Sequence, residues 1–172
     1  MHALPLSELA LVLASLPAPY QLRLQRDDDD GFAAALYSST RDDLRQMPAE
    51  PAVIEQLISM QRRMQSHAYR QAYPHAAYLV LQHGDTPVGR LILDRQDQVL
   101  HLVDIAIVPA AQGQGAGSAV LRALQAQAGA QQWQIHLAVN KNNAAARALY
   151  RWLDFRLRGE NAVQEQLEWR AP

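Results

Sequence analysis

The sequence of 172 residues contains no cysteine. This absence excludes a disulfide scaffold, a cysteine nucleophile, a cysteine-ligated zinc and an iron–sulfur cluster. No apolar run reaches the roughly 18 residues that a membrane-spanning helix requires. Lys141 is the sole lysine beside fifteen arginines, and the formal net charge is −1. Because the arginines are scattered along a near-neutral chain, no global field attracts nucleic acid or an anionic membrane, and we expect neither as a partner.

The length fits one domain with a short appendage, and the composition (49% apolar and 19% charged residues) is that of a globular protein. Residues 1–19 stand apart from the rest. They are apolar but lack a basic start, and Glu8 interrupts them, so a secretory signal is disfavoured. We predict a helix over Glu8–Leu16, capped by Ser7 and docked on the body or on a partner subunit. The predicted domains are an N-terminal extension over 1–19 and one domain over 20–172.

The hydrophobic periodicity predicts a mixed sheet with helices on its faces. The predicted strands are Gln21–Arg26, Ala77–Gln82, Val88–Asp94, Gln98–Val108, Gln134–Val139, Phe155–Leu157 and Val163–Trp169. The predicted helices are Gly31–Ser38, Pro51–Arg70, Ser118–Ala128 and Asn143–Trp152. The almost wholly apolar strand that ends at Val108 is expected to be central in the sheet. The acidic run Asp27–Asp30 is interpreted as helix capping, with an acidic cation site as the alternative.

A glycine-rich segment, QGQGAG at residues 112–117, joins a buried strand to a helix. Glycines allow a ligand to approach the backbone, and the first amides of a helix can bind phosphate oxygens. The spacing does not fit a dinucleotide fingerprint, because Ser118 or Val120 stands where the third glycine would fall. It does not fit a nucleotide-triphosphate loop either, since no lysine is near. The segment is a phosphate cradle or a tight turn.

Three motifs in order resemble the GNAT superfamily, the acyl-coenzyme-A-dependent N-acetyltransferases. Residues 112–117 resemble its [Arg/Gln]-x-x-Gly-x-[Gly/Ala] signature, and Ile107-Val108-Pro109 resembles the end of its fourth strand. The segment from Asn143 to Tyr150 resembles its N-x-x-A-x-x-L-Y helix. The resemblance covers about 150 residues from Tyr20 onward.

One residue departs from the family pattern. Asp154 stands where most members have glycine, between Leu153 and Phe155. The position follows a helix, where a left-handed backbone is expected, and aspartate tolerates that conformation better than most residues. We therefore expect the fold to survive this change.

The resemblance implies an α/β (α+β) GNAT fold with a central mixed, mostly antiparallel sheet of six to seven strands. The fourth and fifth strands of this fold are splayed, and about four helices flank the sheet. In this chain the N-terminal helical extension precedes the fold. The implied activity is transfer of the acetyl group of acetyl-CoA to a primary amine by direct attack in a ternary complex (EC 2.3.1.-). The absence of cysteine favours direct attack over a cysteine-linked acyl-enzyme.

The resemblance also implies the residues that bind coenzyme A. Its pantetheine arm is expected to pair with the backbone near Ile107 and Val108, and Asn143 to contact the arm or only to cap its helix. Its pyrophosphate is expected on the backbone amides of Gln112, Gly113, Gln114, Gly115, Ala116, Gly117 and Ser118.

Two residues are the catalytic candidates. Tyr150 matches the tyrosine that protonates the departing thiolate in the family, and the alternative is a core aromatic residue. Asp104 is the candidate general base, because a carboxylate within an apolar strand is costly unless it has a function. A structural hydrogen bond or a catalytic water are the alternatives to Asp104.

The acceptor is expected between the first strand and second helix and beside the last hairpin. Gln61, Gln65 and Tyr69 form a polar stripe on the second predicted helix that faces either substrate or solvent. His67 and His75 are expected at the surface, and no metal is predicted.

The competing function is a non-catalytic acyl-CoA-binding or sensing module of the same fold. A nucleotide-binding oxidoreductase is disfavoured by the glycine spacing. The acceptor stays open among small amines, amino acids, antibiotics and protein N-termini. We expect a cytoplasmic protein. The N-terminal helix and the apolar last strand are surfaces through which it could form a homodimer.

Overall fold

A seven-stranded mixed sheet forms the centre of the computed structural model, which describes residues 5–172. Its strands are β1 (Tyr20–Leu24), β2 (Ala77–His83), β3 (Thr86–Gln96), β4 (Val99–Ile107), β5 (Gln134–Asn140), β6 (Arg156–Glu160) and β7 (Gln164–Trp169). The helices are α1 (Leu6–Ala14), α2 (Asp30–Ser39), α3 (Asp42–Arg45), α4 (Pro51–Ala72), α5 (Ala116–Gln131) and α6 (Ala144–Trp152). The strand order is β1-β2-β3-β4-β5-β7-β6.

The predicted fold class and the order of strands and long helices are confirmed. The four-residue helix α3 was not predicted, because one turn is too short to show hydrophobic periodicity. No helix within residues 5–172 is long and apolar enough to cross a membrane.

The main hydrophobic core lies on one face of the sheet. Alternate residues of β2 and β3, such as Leu79, Leu81 and Leu91, point into it and pack with α1 and α5. A smaller core joins α2, α3 and α4 through Tyr37, Leu44, Ile54 and Ile58. The second core is small because α4 buries little of its surface.

Apolar residues recur at helical spacing along α4, but only some of them are buried. Ile58 is buried and Leu57 packs against the smaller core, whereas Val53, Met60 and Met64 are exposed. Helical spacing identified the helix but not the face that it buries.

Helix α1 docks on the body of the molecule, which is one of the two predicted alternatives. Its Leu9 and Val12 are buried in the main core. Residues 1–4 of the predicted extension lie outside the described residues. The last strand cannot form a dimer by pairing edge to edge, since β7 lies between β5 and β6 and both its edges are paired. The oligomeric state stays a prediction.

One carboxylate of the acidic run caps the short 3-10 turn Asp27–Asp29 that precedes α2, whereas no side chain caps α2 itself. Asp29 accepts two hydrogen bonds from Arg23, at 2.7 and 2.8 Å, and one from the backbone N–H of Arg26 at 2.7 Å. The Arg23 guanidinium lowers the pKa of the Asp29 carboxyl to about 2 against the opposing effect of burial. The pair ties β1 to the start of α2.

Strands β4 and β5 separate after a short parallel ladder. They pair only from Val99–Leu102 to Gln134–Leu137. Beyond that point β4 stays paired with β3 as far as Ile107, and β5 stays paired with β7 as far as Asn140. The sheet therefore opens into a V between two strands that are each supported on their outer side.

Gly89 lets β3 and β4 approach closely at the open end of this V. A Cβ atom there would lie 2.7 Å from the carbonyl oxygen of Ala106 and 2.9 Å from Cδ1 of Ile107. Because a backbone carbonyl cannot rotate away, any larger residue must push β4 outward.

We expect Gly89→Ala to lower the free energy of unfolding by about 1–3 kcal/mol, since overpacking strains the strand pair. Urea denaturation measures this change. The matched control is Gly31→Ala in α2, where no atom lies within 4 Å. It should be neutral or stabilise by up to about 1 kcal/mol, because alanine is the better helix former. Equal stability of Gly89→Ala and the wild type would contradict the close approach.

Candidate active site

The V between β4 and β5 opens into a cleft of about 1,510 Å³. The glycine-rich loop, the start of α5 and the N-terminal end of α6 line it, and so do parts of α2 and α4. Sites for one drug-sized ligand are typically about 300–1,000 Å³, so this cleft has room for two molecules side by side.

The loop presents the N-terminus of α5 to the cleft. Gly113 and Gly115 have φ angles of 72° and 90°, in the left-handed region that favours glycine. Helix α5 then begins at Ala116 with no side chain capping its first amides. These N–H groups have no intrahelical acceptors, and the helix dipole adds positive potential, so they can bind an anion.

Side chains hold the loop in this shape. Gln112 donates from Nε2 to the carbonyl of Ile107 at 3.0 Å, and Gln114 donates from Nε2 to the carbonyl of Ala110 at 2.9 Å. The hydroxyl of Tyr20 donates to the carbonyl of Gln114 at 3.2 Å. Gln114 therefore braces the loop and does not line the cleft, unlike the other six residues predicted from 112 to 118.

The β4 edge that faces the cleft differs by one residue from the prediction. Val108 does not line the cleft, because its N–H is already donated to the carbonyl of Val88 in β3 at 2.8 Å. Backbone groups alternate in direction along a strand, so Ile105 and Ile107 present theirs toward β5, where no strand pairs with them. Ile105 and Ile107 line the cleft and Val108 does not, while the pairing of this edge with a pantetheine arm stays a prediction.

Tyr150 lies in α6 with its ring in the main core and lines the cleft. It is 5% exposed, and its ring packs edge-on against Phe155 at a centroid distance of 5.6 Å. Burial raises the pKa of the phenol to about 12, and the negative charge of Asp104 adds to this shift. The phenol therefore carries its proton at neutral pH.

The turn after α6 keeps Phe155 under Tyr150. Asp154 has a φ of 63°, which confirms the predicted left-handed backbone, and the Phe155 N–H donates to the Tyr150 carbonyl at 3.0 Å. This bond closes the helix in the manner of a Schellman motif.

Asp104 lines the cleft from the middle of β4 and forms an ion pair with Arg90 of β3. Nη2 of Arg90 lies 2.6 Å from Oδ2 of Asp104, and the two side chains are 11% and 22% exposed. The sequence indicated the costly carboxylate but not its partner, which lies fourteen residues away on the neighbouring strand. The pair compensates the charge and keeps the carboxylate in place.

Asn143 is the N-cap of α6. Its Oδ1 accepts a hydrogen bond from the N–H of Ala146 at 3.1 Å. This is the capping role that was one of the two expectations for Asn143. The residue also lines the cleft, so its remaining amide group is close to any ligand there.

The polar stripe of α4 faces the cleft in part. Gln65 and Tyr69 line it, whereas Gln61 accepts a hydrogen bond from Arg41. Burial and the negative charge of Asp104 raise the pKa of the Tyr69 phenol, so it too is protonated at neutral pH.

Two histidines that the sequence analysis did not single out line the cleft. His101 and His136 are register partners on β4 and β5, and their rings meet edge-on at a centroid distance of 5.6 Å. Burial lowers the pKa of both rings, and the positive charge of Arg158 lowers it further, while Asp94 opposes the shift at His101. Only knowledge of the strand register could have found this pair. His67 and His75 are exposed, as predicted.

No group of three or more histidine, aspartate or glutamate side chains within residues 5–172 is arranged to hold a metal ion.

Comparison with protein families identifies the class to which this fold and cleft belong. The model of the acetyltransferase (GNAT) family matches residues 33–155. The chain therefore belongs to the GNAT acetyltransferase family, as its motifs predicted.

Solved structures of similar fold include the PaiA N-acetyltransferase of Thermoplasma acidophilum in complex with coenzyme A. It has 13% identity and a TM-score of 0.64 over 88% of this chain and 99% of that one. The ribosomal-protein-S18-alanine N-acetyltransferase of Escherichia coli has 19% identity and a TM-score of 0.58 over 87% and 90% of the two chains. The Salmonella typhimurium acetyltransferase that modifies the N-terminal serine of ribosomal protein L7/L12 has 14% identity and a TM-score of 0.62 over 91% and 97%.

We expect His101 and His136 to titrate below pH 6.5 in the folded protein and to be neutral at pH 7. Because the unfolded chain binds these protons more tightly, this contribution to folding stability falls as the pH drops below 6.5. Ring-proton NMR over pH 4–8 measures both pKa values.

The variant Arg158→Gln tests the charge effect on the two histidines, because it removes the exposed positive charge that lowers both pKa values. It should raise both pKa values, whereas Arg156→Gln, another exposed residue of β6, should leave them unchanged. Titration of both rings at or above pH 6.5 in the wild type would contradict the burial argument.

Proposed function

We propose that this chain is an acetyl-CoA-dependent N-acetyltransferase that transfers an acetyl group to a primary amine within a ternary complex. One observation carries the proposal. A single cleft between β4 and β5 is lined by the N-terminus of α5, the unpaired edge of β4, the phenol of Tyr150 and the carboxylate of Asp104. The catalytic domain would comprise residues 20–172, with 1–19 as an extension.

The cleft fits coenzyme A without a cluster of basic side chains. The amides at the start of α5 would hold the pyrophosphate, since backbone N–H groups and the helix dipole supply the positive potential. The backbone of Ile105 and Ile107 would pair with the amides of the pantetheine arm as an added strand does. The side chain of Asn143 would contact the same arm from α6.

Asp104 would receive the proton of the acceptor amine, directly or through a water molecule. The amine nitrogen must lose a proton as its bond to the acetyl carbon forms and the carbon–sulfur bond breaks. The ion pair with Arg90 holds the Asp104 side chain at the wall of the cleft. His101 and His136 are neutral rings in the same cleft and are the alternative acceptors of this proton.

Tyr150 would donate its phenolic proton to the departing thiolate. Its high pKa keeps the proton in place until the sulfur develops negative charge, and its buried ring cannot turn away from the cleft. Donor and acceptor of protons would then lie on opposite elements, α6 and β4, with the thioester between them.

The acceptor would be a small-molecule amine or the amine of a peptide or protein. Polar residues from α2, α4 and the β6–β7 hairpin line the cleft together with Asp104. The E. coli and S. typhimurium structures named above belong to enzymes that act on ribosomal proteins, which keeps a protein N-terminus among the candidates. A homodimer is compatible with this proposal, and a non-catalytic acyl-CoA-binding module is the alternative to it.

We expect Tyr150→Phe to lower kcat by a factor of about 10² or more while the Kd for acetyl-CoA changes less than about twofold. The substitution removes only the hydroxyl and keeps the packing with Phe155, so catalysis and binding separate. Thiol release with a panel of amines measures turnover, and calorimetric titration measures Kd. Unchanged kcat would remove Tyr150 as the acid, and a wild type that binds acetyl-CoA but turns over no amine would favour the binding module.

We expect Asp104→Asn to lower kcat by a factor of about 10² at neutral pH, because the amide cannot accept the proton. The matched control is Asp97→Asn, the same change in the exposed β3–β4 turn, which should keep wild-type kcat. If Asp104→Asn folds and retains kcat, water or the histidine pair performs this step.

A further inference from the structure

A second cavity, of about 250 Å³, shares one residue with the cleft. Arg90 lines both cavities, and it is only 9% exposed. The remaining walls come from the β1–α2 connection, the first turn of α2, the middle and end of α4, and β2. Acetyl transfer as proposed above uses none of these other walls.

The walls of this cavity carry an excess of positive charge. Four arginines line it against two aspartates, Asp27 and Asp30. Asp30 is neutralised by Nη2 of Arg62 at 2.7 Å. Among residues 5–172, neither Arg26 nor Arg70 takes part in an ion pair within 4.0 Å. Arg90 is paired with Asp104 of the cleft, so the charged groups around the cavity leave one net positive charge, and Arg26 and Arg70 are exposed.

Buried polar atoms without partners concentrate around the same cavity. Six such side-chain atoms occur within the described part of the chain, and four belong to residues of this wall: Nε of Arg62, Nε of Arg90, the hydroxyl of Tyr78 and Oε1 of Gln25. These atoms have almost no accessible surface, so a ligand in the cavity reaches them only when the side chains turn. No hydrogen bond at Nε of Arg62 or Arg90 opposes that turn.

The ligand that suits this lining is an anion that accepts several hydrogen bonds. Four arginines line the cavity, and guanidinium groups match the geometry of phosphate and carboxylate oxygens. A metal cation is excluded by the surplus of arginine.

We propose that this cavity is a binding site for a small oxyanion of the phosphate type, whose occupancy reaches Asp104 through the shared Arg90. Of the three Arg90 nitrogens, only Nη2 has a hydrogen bond within residues 5–172, and that bond goes to Asp104. An oxyanion beside Arg90 competes with Asp104 for one guanidinium. Binding in the second cavity therefore loosens the carboxylate that faces the cleft.

Inorganic phosphate is the probe, and NMR of the labelled full chain is the measurement. Phosphate should produce saturable shifts of the Nε–Hε signals of Arg62 and Arg90, and of the carboxyl carbon signal of Asp104. Sodium chloride at the same ionic strength should not. Phosphate that binds instead at the start of α5 would shift the amides of residues 113–117, so the two locations are distinguishable without any assay of acetyl transfer.

The test variant is Arg70→Gln and the control is Arg63→Gln. Both remove one exposed arginine from α4, but only Arg70 lines the cavity. Arg70→Gln should weaken the Kd for phosphate about tenfold, since a charge-assisted hydrogen bond is lost, and Arg63→Gln should change it less than about twofold. The protein spectrum itself reports whether each variant is folded.

Three results would overturn the proposal. The first is phosphate shifts confined to the α5 loop, and the second is an equal effect of sodium chloride. The third is equal weakening by the two arginine variants. Saturable shifts of Arg62 and Arg90 with an unmoved Asp104 signal would overturn the link to the cleft, because that link requires Arg90 to change partners.

Discussion

The separation of β4 from β5 is the constraint on which the rest of the structure depends. Backbone groups of β4 beyond Leu102 face the V without a partner strand, and a helix terminus and two catalytic candidates gather around the opening. An unpaired strand edge inside a sheet is costly unless water or a ligand satisfies it. The fold tolerates the gap because β3 holds β4 and β7 holds β5 on their outer sides.

Local packing keeps β4 in its splayed position. Gly89 brings β3 against the end of β4, and the Val108 N–H bonds back to Val88, so the strand is clamped just before the loop. The β3–β4 pair has a register shift, because Ile92 pairs with Asp104 whereas Leu93 pairs with Leu102. Asp104 lies at this shift and lines the cleft, whereas Leu100 and Leu102 are buried in the main core.

The sequence predicted those features that obey local rules. The glycine loop, the left-handed Asp154 and the order of elements follow from short-range backbone preferences and periodicity, and the family motifs added the splay. The sequence did not predict the features that depend on strand register. Which backbone groups near Val108 face the cleft depends on the register, because alternation has a period of two and a shift by one residue reverses their direction.

Partners across the sheet were missed for the same reason. Arg90 beside Asp104 and His101 beside His136 each join residues from two strands, and only the alignment of the strands brings them together. The second cavity likewise arises from three segments distant in sequence. Electrostatics of the site therefore had to come from the structure, although each charged residue was visible in the sequence.

The most direct measurement of the central claim is a thermal-shift titration with acetyl-CoA, with NAD and ATP as controls. At about 100 times its Kd, a ligand specific for the folded state adds about 2.7 kcal/mol of stability. For a chain of this size the Tm should rise by about 5–10 °C. A rise with acetyl-CoA alone is the predicted result. An unchanged Tm in protein shown to be folded would contradict the account of the cleft.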